Sequence, residues 1–245
     1  MRFRVVSWNI HKGIGGLDRR YRIERISELL SSFEVDFALL QEVASDLPRA
    51  GHHAQVELLA EALGLAHTGY FPQHAFVRGG YGNAILSRHP LTDLHEIDLT
   101  IGTRKKRGAL LARARMRHGR HTRSLLFCSL HLGLAGSERG EQLGRFLASE
   151  PFRGLHRRTP IVLGGDLNDL YGTLGPRFLE PEGFRRAGGL VNTFPAWLPL
   201  RPLDGVFVRG DARVVGAGAP SRGLARVASD HLPVVVDVEL RGRGR

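Results

Sequence analysis

The stretch Pro160-Ile161-Val162-Leu163-Gly164-Gly165-Asp166-Leu167-Asn168 is a short apolar run that stops at an acid and an amide. An apolar run of this length, bounded by glycine, reads as a buried strand. The same pattern recurs outward in both directions. Arg2–Asn9 reads as a strand closing on Asn9, and residues 35–43 form a continuous apolar run ending in Gln41-Glu42. Residues 124–132 read as a strand with His131 near its end, and Asp230 and His231 stand just before a last strand, Val234–Leu240. Residues 83–87, 110–117, 206–209 and 213–215 complete the strand set. Between them, residues 21–32 carry Tyr21, Ile23, Ile26, Leu29 and Leu30 at helical spacing. Gln55–Leu63, closed by Gly64 as a C-cap, and residues 138–148 read as further helices. Strands and helices alternate without repeats or a low-complexity linker, which is the grammar of an α/β fold. Strand after strand ends in a group able to bind metal or move protons. Loops at strand ends are where such folds build sites.

The chain has 245 residues, 42% hydrophobic and 24% charged, which argues against disorder and allows a sizeable core. Residues 1–240 are expected to form one domain, with Arg241-Gly242-Arg243-Gly244-Arg245 as a frayed basic tail. No stretch approaches the ~20 apolar residues of a membrane helix. The start, Met1-Arg2-Phe3-Arg4, leads into an apolar run too short for a signal peptide. Cys128 is the only cysteine, so an intramolecular disulfide and a thiolate metal cage are both excluded. Its apolar neighbours mark it as a buried thiol. A monomer in the cytoplasm, without an obligate protein partner, is the expectation. The net charge of +11 favours polyanionic partners: nucleic acid, anionic lipid surfaces or phosphorylated metabolites. Lys12, Lys105 and Lys106 are the only lysines, so the excess is nearly all arginine, which arginine-rich codon usage also produces.

Glu42, Asp166 and Asp230 offer carboxylates, and Asn9 and Asn168 offer amide oxygens. Hard cations such as Mg²⁺ take oxygen ligands, commonly one or two carboxylates with waters and substrate phosphate. Each residue alone has a plainer explanation: an Asx-turn for Asp166 and Asn168, a solvated acid for Glu42, a turn cap for Asn9. The joint pattern is harder to dismiss, because three of the four asparagines lie at strand boundaries within these motifs. His131 and His231 stand beside candidate ligands. A carboxylate accepting from one ring nitrogen fixes the tautomer and raises the basicity of the other. Asp204 and His231 make such a pair if the fold joins them. Arg107 is a candidate phosphate clamp, since a guanidinium matches phosphate bidentately, or a solvated member of Arg104-Lys105-Lys106-Arg107. Lys12 and His11 are weaker candidates of the same kind. Asn83, after Gly79-Gly80, is grouped with Arg107 on the phosphate side, where it supports the site from behind or forms a structural turn. Residues 193–200, Thr193-Phe194-Pro195-Ala196-Trp197-Leu198-Pro199-Leu200, are a rim loop touching substrate, membrane or bases, or an irregular buried loop. His52-His53 reads as a solvated loop. There is no P-loop ending and no nucleophile elbow.

Seven motifs carry a resemblance: Ser7-Trp8-Asn9-Ile10, Leu40-Gln41-Glu42-Val43, Tyr81-Gly82-Asn83-Ala84-Ile85-Leu86-Ser87, Ser129-Leu130-His131, Gly165-Asp166-Leu167-Asn168, Leu203-Asp204-Gly205-Val206 and Ser229-Asp230-His231-Leu232-Pro233. In this order they resemble the endonuclease/exonuclease/phosphatase (DNase I-like) superfamily over residues 9–233. The opening Asn9-Ile10-His11-Lys12-Gly13, with Lys106-Arg107-Gly108 and Thr193-Phe194-Pro195, looks most like its bacterial YbhP-like branch. The resemblance implies an α/β, four-layer α/β/β/α sandwich of two packed mixed sheets flanked by helices, with the site at one end. It implies Glu42 as the principal Mg²⁺ ligand with Asn9 and Asp230 close by, Mn²⁺ serving as a substitute. It implies that Asp166 and Asn168 orient the attacking water and the phosphate. His231, held by Asp204, is then general base or phosphate stabiliser, and His131 a phosphate contact or leaving-group acid. Family mechanisms differ on whether Asp166 or His231 takes the proton, and on one metal or two.

The first expectation is therefore a Mg²⁺-dependent phosphodiester hydrolase acting on nucleic acid. The alternative is a phospholipid or small-molecule phosphodiesterase or phosphatase of the same superfamily, with an anionic phospholipid as partner. A binding module without catalysis is disfavoured because Glu42, Asp166 and His231 are all present. His131 stands where abasic-site enzymes tend to carry tyrosine, which argues against that specialised role.

Overall fold

A strand that is apolar on both faces needs cover on both sides, so the chain must build layers. The structure is a computed structural model and describes residues 1–119 and 121–240, without the side chains of residues 118 and 121. The expected basic tail, residues 241–245, lies outside the described residues. The strands β1 (Arg2–Asn9), β2 (Phe37–Ser45), β3 (His67–Ala75) and β4 (Gly80–Ser87) enter a first sheet. The chain then builds a second sheet from β5 (Leu91–Asp98), β6 (Gly108–His118), β7 (His121–His131), β8 (Ile161–Asp166), β9 (Arg185–Arg186) and β10 (Asp204–Arg209). It returns to the first with β11 (Ala212–Gly218) and β12 (Val234–Leu240). The strand orders are β11-β12-β1-β2-β4-β3 and β5-β6-β7-β8-β10-β9. In each sheet the central pair is parallel, β1 with β2 and β7 with β8, and every other pair is antiparallel.

The alternation of side chains then fixes four layers. Val5, Phe37, Leu39, Phe127, Val162 and Val236 point inward and form the core between the sheets. Their neighbours Val6, Trp8, Ala38 and Leu40 point outward and pack under α1 (Ile23–Ser32) and α2 (Gln55–Leu63). On the far side Leu126, Cys128, Ile161 and Leu163 pack under α3 (Gly136–Ala148) and the short α4 (Glu150–Arg153). A last short helix, α5 (Ala225–Ala228), joins the layer over the first sheet. The expected α/β/β/α sandwich is thus the fold, and Cys128 is buried in it. Three phenylalanines tie the sheets together: Phe37 stacks on Phe127 with centroids 3.9 Å apart, and Phe3 meets both edge-on at 5.5 and 5.9 Å.

Gly164 and Gly165 explain why the deciding stretch is glycine-rich. A Cβ on Gly164 would come within 2.8 Å of Ser7 Cβ in the opposing sheet, and one on Gly165 within 2.0 Å of the Leu130 carbonyl oxygen. Side chains there would force apart the sheets, or the neighbouring strands, beside the site.

The structure also shows elements the sequence reading left out. The strands β3 and β5 are sheet edges, β3 mostly half-buried and β5 mostly exposed, so they carry no apolar run; β3 even holds Pro72, tolerated at an edge. The two-residue strand β9 is too short to leave a pattern. The expected strand at residues 35–43 runs Phe37–Ser45, and the one at 83–87 starts at Gly80. The first helix starts at Ile23 rather than at 21, and α3 starts at Gly136 rather than at 138.

Phe127 is fully buried at the centre of the inter-sheet core. Phe127→Ala should lower the unfolding free energy by about 3–5 kcal/mol, read from urea denaturation. A loss under ~1 kcal/mol would mean the sheets do not depend on this contact.

Candidate active site

The two parallel pairs point their carboxyl ends the same way, and this gathers the polar strand ends. In the second sheet His131 and Asp204 flank Asp166 in register, from β7 and β10 on either side of β8. In the first sheet Asn9 ends β1 beside Gln41 of β2, and the segment before β12 returns to the same end, Val234 pairing with Ser7. Asn9 Nδ2 donates to Asp166 Oδ2 at 3.1 Å, so the two sheets meet in one site.

Asp166 is its hub. Oδ2 also lies 3.3 Å from His131 Nε2 and 3.7 Å from His231 Nε2, while Oδ1 accepts from the Asn168 backbone N–H at 3.0 Å. Asn168 holds the left-handed conformation, φ 51°, and donates through Nδ2 to the Leu132 carbonyl at 2.9 Å. His231 Nδ1 sits 2.8 Å from Asp204 Oδ2, so the fold does form the pair inferred from the motifs. Thr193 Oγ1 donates to the same Asp204 oxygen at 2.5 Å, and the Phe194 ring lies 4.9 Å from the His231 ring. Behind the histidine, Trp8 Nε1 donates to the His231 carbonyl at 2.8 Å. Asp166, Asp204, His131 and His231 are all at most 5% exposed. Burial lifts Asp166 above the usual carboxylate range, against the pull of His231 and with the repulsion of Asp204. Burial would depress His231, but Asp204 and Asp166 outweigh it and hold it up to about 10. His131 goes the other way: burial, reinforced by the Arg107 charge, keeps its imidazole neutral.

Glu42 reaches the site through a distortion. The β2–β4 register shifts between Leu40 and Val43, and Glu42 adopts φ 52° at that bulge. Bulges re-aim a side chain, and left-handed non-glycine residues cluster where function requires strain. His11 and Lys12 share the left-handed conformation, at φ 47° and 61°. Lys12 Nζ forms an ion pair with Glu42 Oε2 and lies 4.7 Å from the Tyr81 ring centroid. Burial opposes ionisation of Glu42, yet Lys12, His131 and His11 hold its carboxyl far below the usual range. Gln55, fully buried, fixes this corner by donating to the Lys12 carbonyl at 2.8 Å and accepting from the Ala44 N–H at 2.7 Å.

Two groups suit a cation. The first is Glu42, Asn9 and Asp230, an all-oxygen set. His11 Nδ1 lies 3.6 Å from Asp230 Oδ2, Ser229 Oγ bonds the Asn9 carbonyl at 2.7 Å, and the His11 N–H donates to Asn9 Oδ1 at 3.0 Å. Lys12 already places a positive charge on Glu42, which shows that the spot favours one. Oxygen donors of this kind match Mg²⁺ or Mn²⁺ rather than a soft metal. The second group is Asp166, Asp204 and His231, whose ligand atoms lie within 4.8 Å of one another. That group could also hold an ion, but Asp204 and His231 are already hydrogen-bonded to each other.

Arg107 is 4% exposed, its Nε is buried without a hydrogen-bond partner, and its charge bears on His131. It is not the solvated member of its run. Asn83 is fully buried and donates to the Gly108 and Ser129 carbonyls at 2.8 and 3.2 Å. Of the two roles open to it, those bonds correspond to support from behind. In the loop at residues 193–200, Thr193 and Ala196 are buried, while Trp197, Leu198 and Leu200 are exposed. Sequence reading missed Gln55, Thr193 as a partner of Asp204, and Ser129 and Ser229. Single polar residues inside apolar segments were the available signal.

Two expectations follow from the buried charges. Lys12→Met leaves Glu42 without its counter-charge and should destabilise the protein in EDTA by about 3–5 kcal/mol. Urea denaturation with and without Mg²⁺ checks this, and a bound cation should restore part of the loss. Asp204→Asn should lower the His231 pKa, followed by NMR of the ring. A group raised in the folded state stabilises it fully below its unfolded pKa, ~6.5. That stabilisation is lost as pH rises through the folded value, so the variant should be less pH-sensitive above neutrality. An unchanged titration would show that Asp204 does not hold His231 charged.

The family model for the Endonuclease/Exonuclease/phosphatase family matches residues 6–231. The "Uncharacterized protein YbhP" of Escherichia coli strain K12 is 27% identical over 253 residues, spanning 97% of this chain and 96% of that protein. An endonuclease/exonuclease/phosphatase from Beutenbergia cavernae DSM 12333 superposes with a TM-score of 0.82 at 26% identity, covering 98% of this chain and 72% of that one. A mannosyl-6-phosphatase of Bacteroides thetaiotaomicron VPI-5482 shares the fold, with a TM-score of 0.70 at 16% identity over 97% of this chain and 100% of that one. With its motifs converging on one buried end of a four-layer sandwich, the chain belongs to the Endonuclease/Exonuclease/phosphatase family.

Proposed function

We propose that the protein hydrolyses a phosphodiester with the help of a divalent cation, Mg²⁺ or Mn²⁺. The observation that carries this reading is the convergence of Glu42 and Asn9 from one sheet with the Asp166–His231–Asp204 chain, all at one end of the sandwich. Water adds to phosphorus, the bond to the leaving alcohol breaks, and the products are a phosphomonoester and an alcohol. Glu42, Asn9 and Asp230 would hold the cation, which would supply charge to neutralise the phosphate oxygens. Asn168 orients the attacking water and Asp166 takes its proton, while His231, held charged by Asp204, stabilises a phosphate oxygen. That proton passes through solvent to the leaving alkoxide. His131, kept neutral, donates a hydrogen bond to a nonbridging oxygen, and Arg107 clamps another. Positioned proton transfer of this kind is worth ~10²–10⁴-fold in rate.

Bis(p-nitrophenyl) phosphate, with Mg²⁺ and with EDTA, tests the reading. Asp166→Ala and His231→Ala should each lower kcat by ~10²–10⁴-fold with unchanged circular dichroism. Near-wild-type turnover in either would overturn the assignment. Glu42→Gln should raise the Mg²⁺ concentration needed for half-maximal activity. Because the fold also serves a protein named for a phosphomonoester, p-nitrophenyl phosphate is the comparison substrate, and faster turnover of it would move the reading to a phosphatase.

Nucleic acid is supported by the net charge of +11, and nicking of supercoiled plasmid reads it. A specific observation favours the second class, phospholipid. The loop that holds Asp204 and His231 through Thr193 and Phe194 exposes Trp197, Leu198 and Leu200 to solvent. A monomer acting in the cytoplasm stays part of this reading, in keeping with the lone reduced thiol of Cys128.

A further inference from the structure

Large hydrophobic side chains left in water are unevenly distributed on this molecule. Thirteen are exposed among the described residues, and ten of them stand on segments at the site end. The exceptions are Leu58 in α2, Leu94 in β5 and Val215 in β11. Phe76 and Val77 form the tip between β3 and β4, with the Phe76 ring 6.0 Å from Tyr81, which itself lies under Lys12. Leu134 follows His131, and Tyr171 follows Asn168; they are 75% and 79% exposed. Trp197 and Leu200 belong to the loop whose Ala196 N–H donates to the Asp230 carbonyl at 2.7 Å. Four separate loops therefore ring the candidate active site with apolar tips.

Two of these loops, and the one between β5 and β6, carry exposed cations. Arg78 follows Val77, Arg201 follows Leu200, and Lys105 and Lys106 lead into Arg107; all but Arg107 are exposed. Of the exposed acids nearby, Asp18 is paired with Arg25 and Asp46 with His52, each at 2.8 Å, and Asp98 accepts from the Thr100 N–H at 2.8 Å. Apolar tips flanked by arginine and lysine are the signature of a surface that lies in a membrane interface, with tips among acyl chains and cations on anionic headgroups. Nucleic acid matches the cations but offers little to aliphatic tips such as Val77, Leu134 and Leu200. A protein partner matches the tips but gives no reason for the unpaired positive charge.

We infer that the site end docks on an anionic phospholipid bilayer and that the phosphodiester it takes is that of a lipid headgroup in that bilayer. This rests on the hydrolase reading above. Docking would bring the headgroup phosphate level with Arg107 and Glu42 while its acyl chains stay in the membrane.

The full-length chain is sedimented with vesicles of phosphatidylcholine alone and of phosphatidylcholine with phosphatidylglycerol. Binding should require phosphatidylglycerol and weaken at least ~10-fold in Trp197→Ser and in the double variant Phe76→Ser, Val77→Ser, while Leu58→Ser binds like the wild type. Brominated lipid should quench Trp197 but leave the buried Trp8, the only other tryptophan, unaffected. Release of the headgroup product from the vesicles completes the expectation. Failure of the wild type to bind either vesicle would overturn the inference, as would binding that the tip substitutions leave intact. Plasmid binding abolished by those substitutions, without vesicle binding, would reassign the surface to nucleic acid. Hydrolysis of the soluble chromogenic diester is measured in parallel. Vesicle binding without that hydrolysis would retain the docking face and remove the hydrolase reading; the reverse would do the opposite.

Discussion

Two sheets packed only through apolar side chains have no directional contact to fix how one sits on the other. In this protein the missing direction comes from a seam of buried amides at the site end. Gln41 of β2 donates to Ser129 Oγ of β7 at 3.0 Å, and Ser129 Oγ donates back to the Leu40 carbonyl at 3.0 Å. Asn83 of β4 spans to the carbonyls of Gly108 and Ser129, and Asn9 of β1 reaches Asp166 of β8. Each is a hydrogen bond whose loss would strand a buried polar group, so the sheets cannot shift past one another without penalty. The site depends on that alignment, because Glu42 and Asn9 come from one sheet and His131, Asp166 and Asp204 from the other. The close approach at Gly164 serves the same end by letting backbone, rather than side chain, meet Ser7.

The seam also explains why strain can be concentrated here. Left-handed backbone at His11, Lys12, Glu42 and Asn168 persists only where surroundings over-determine it. Gln55, the β2 bulge and the Asn168–Leu132 bond provide that support. The result is a compact alternation of charge: Lys12 on Glu42, neutral His131 between Arg107 and Asp166, and charged His231 between Asp166 and Asp204. Fixed charges already in place are the condition for electrostatic stabilisation of a charge that develops in a reaction.

Much of this was legible in the amino-acid sequence because buried parallel strands are apolar on both faces and stop abruptly at polar ends. Asn9, Glu42, His131, Asp166, Asp204 and His231 all follow or precede such runs, and all reach the site. Strands near the sheet margins were not legible: β3 and β5 are half solvated, and their residues mix polar and apolar types without a clean period. Nor was the partner of Glu42. A lysine in a glycine-rich turn carries no sign that it will be buried against a particular acid 30 positions away. Contacts between sheets, such as Gln41 with Ser129, depend on how layers stack, and no local pattern encodes that.

The pairing of β1 with β12 joins the two ends of the described chain: Val5 lies opposite Val236, and the Leu240 N–H donates to the Met1 carbonyl. The strand β1 therefore waits for β12, far later in the chain, before it gains that neighbour. His231, which completes the buried cluster with Asp166 and Asp204, emerges just ahead of that closing strand. Contacts this distant along the chain are slow to form and leave early strands unsatisfied during synthesis. A nascent or truncated chain lacking β12 would thus hold most of the acidic and amide groups of the site and yet be unable to assemble it. The candidate site is complete only once β12 has been made.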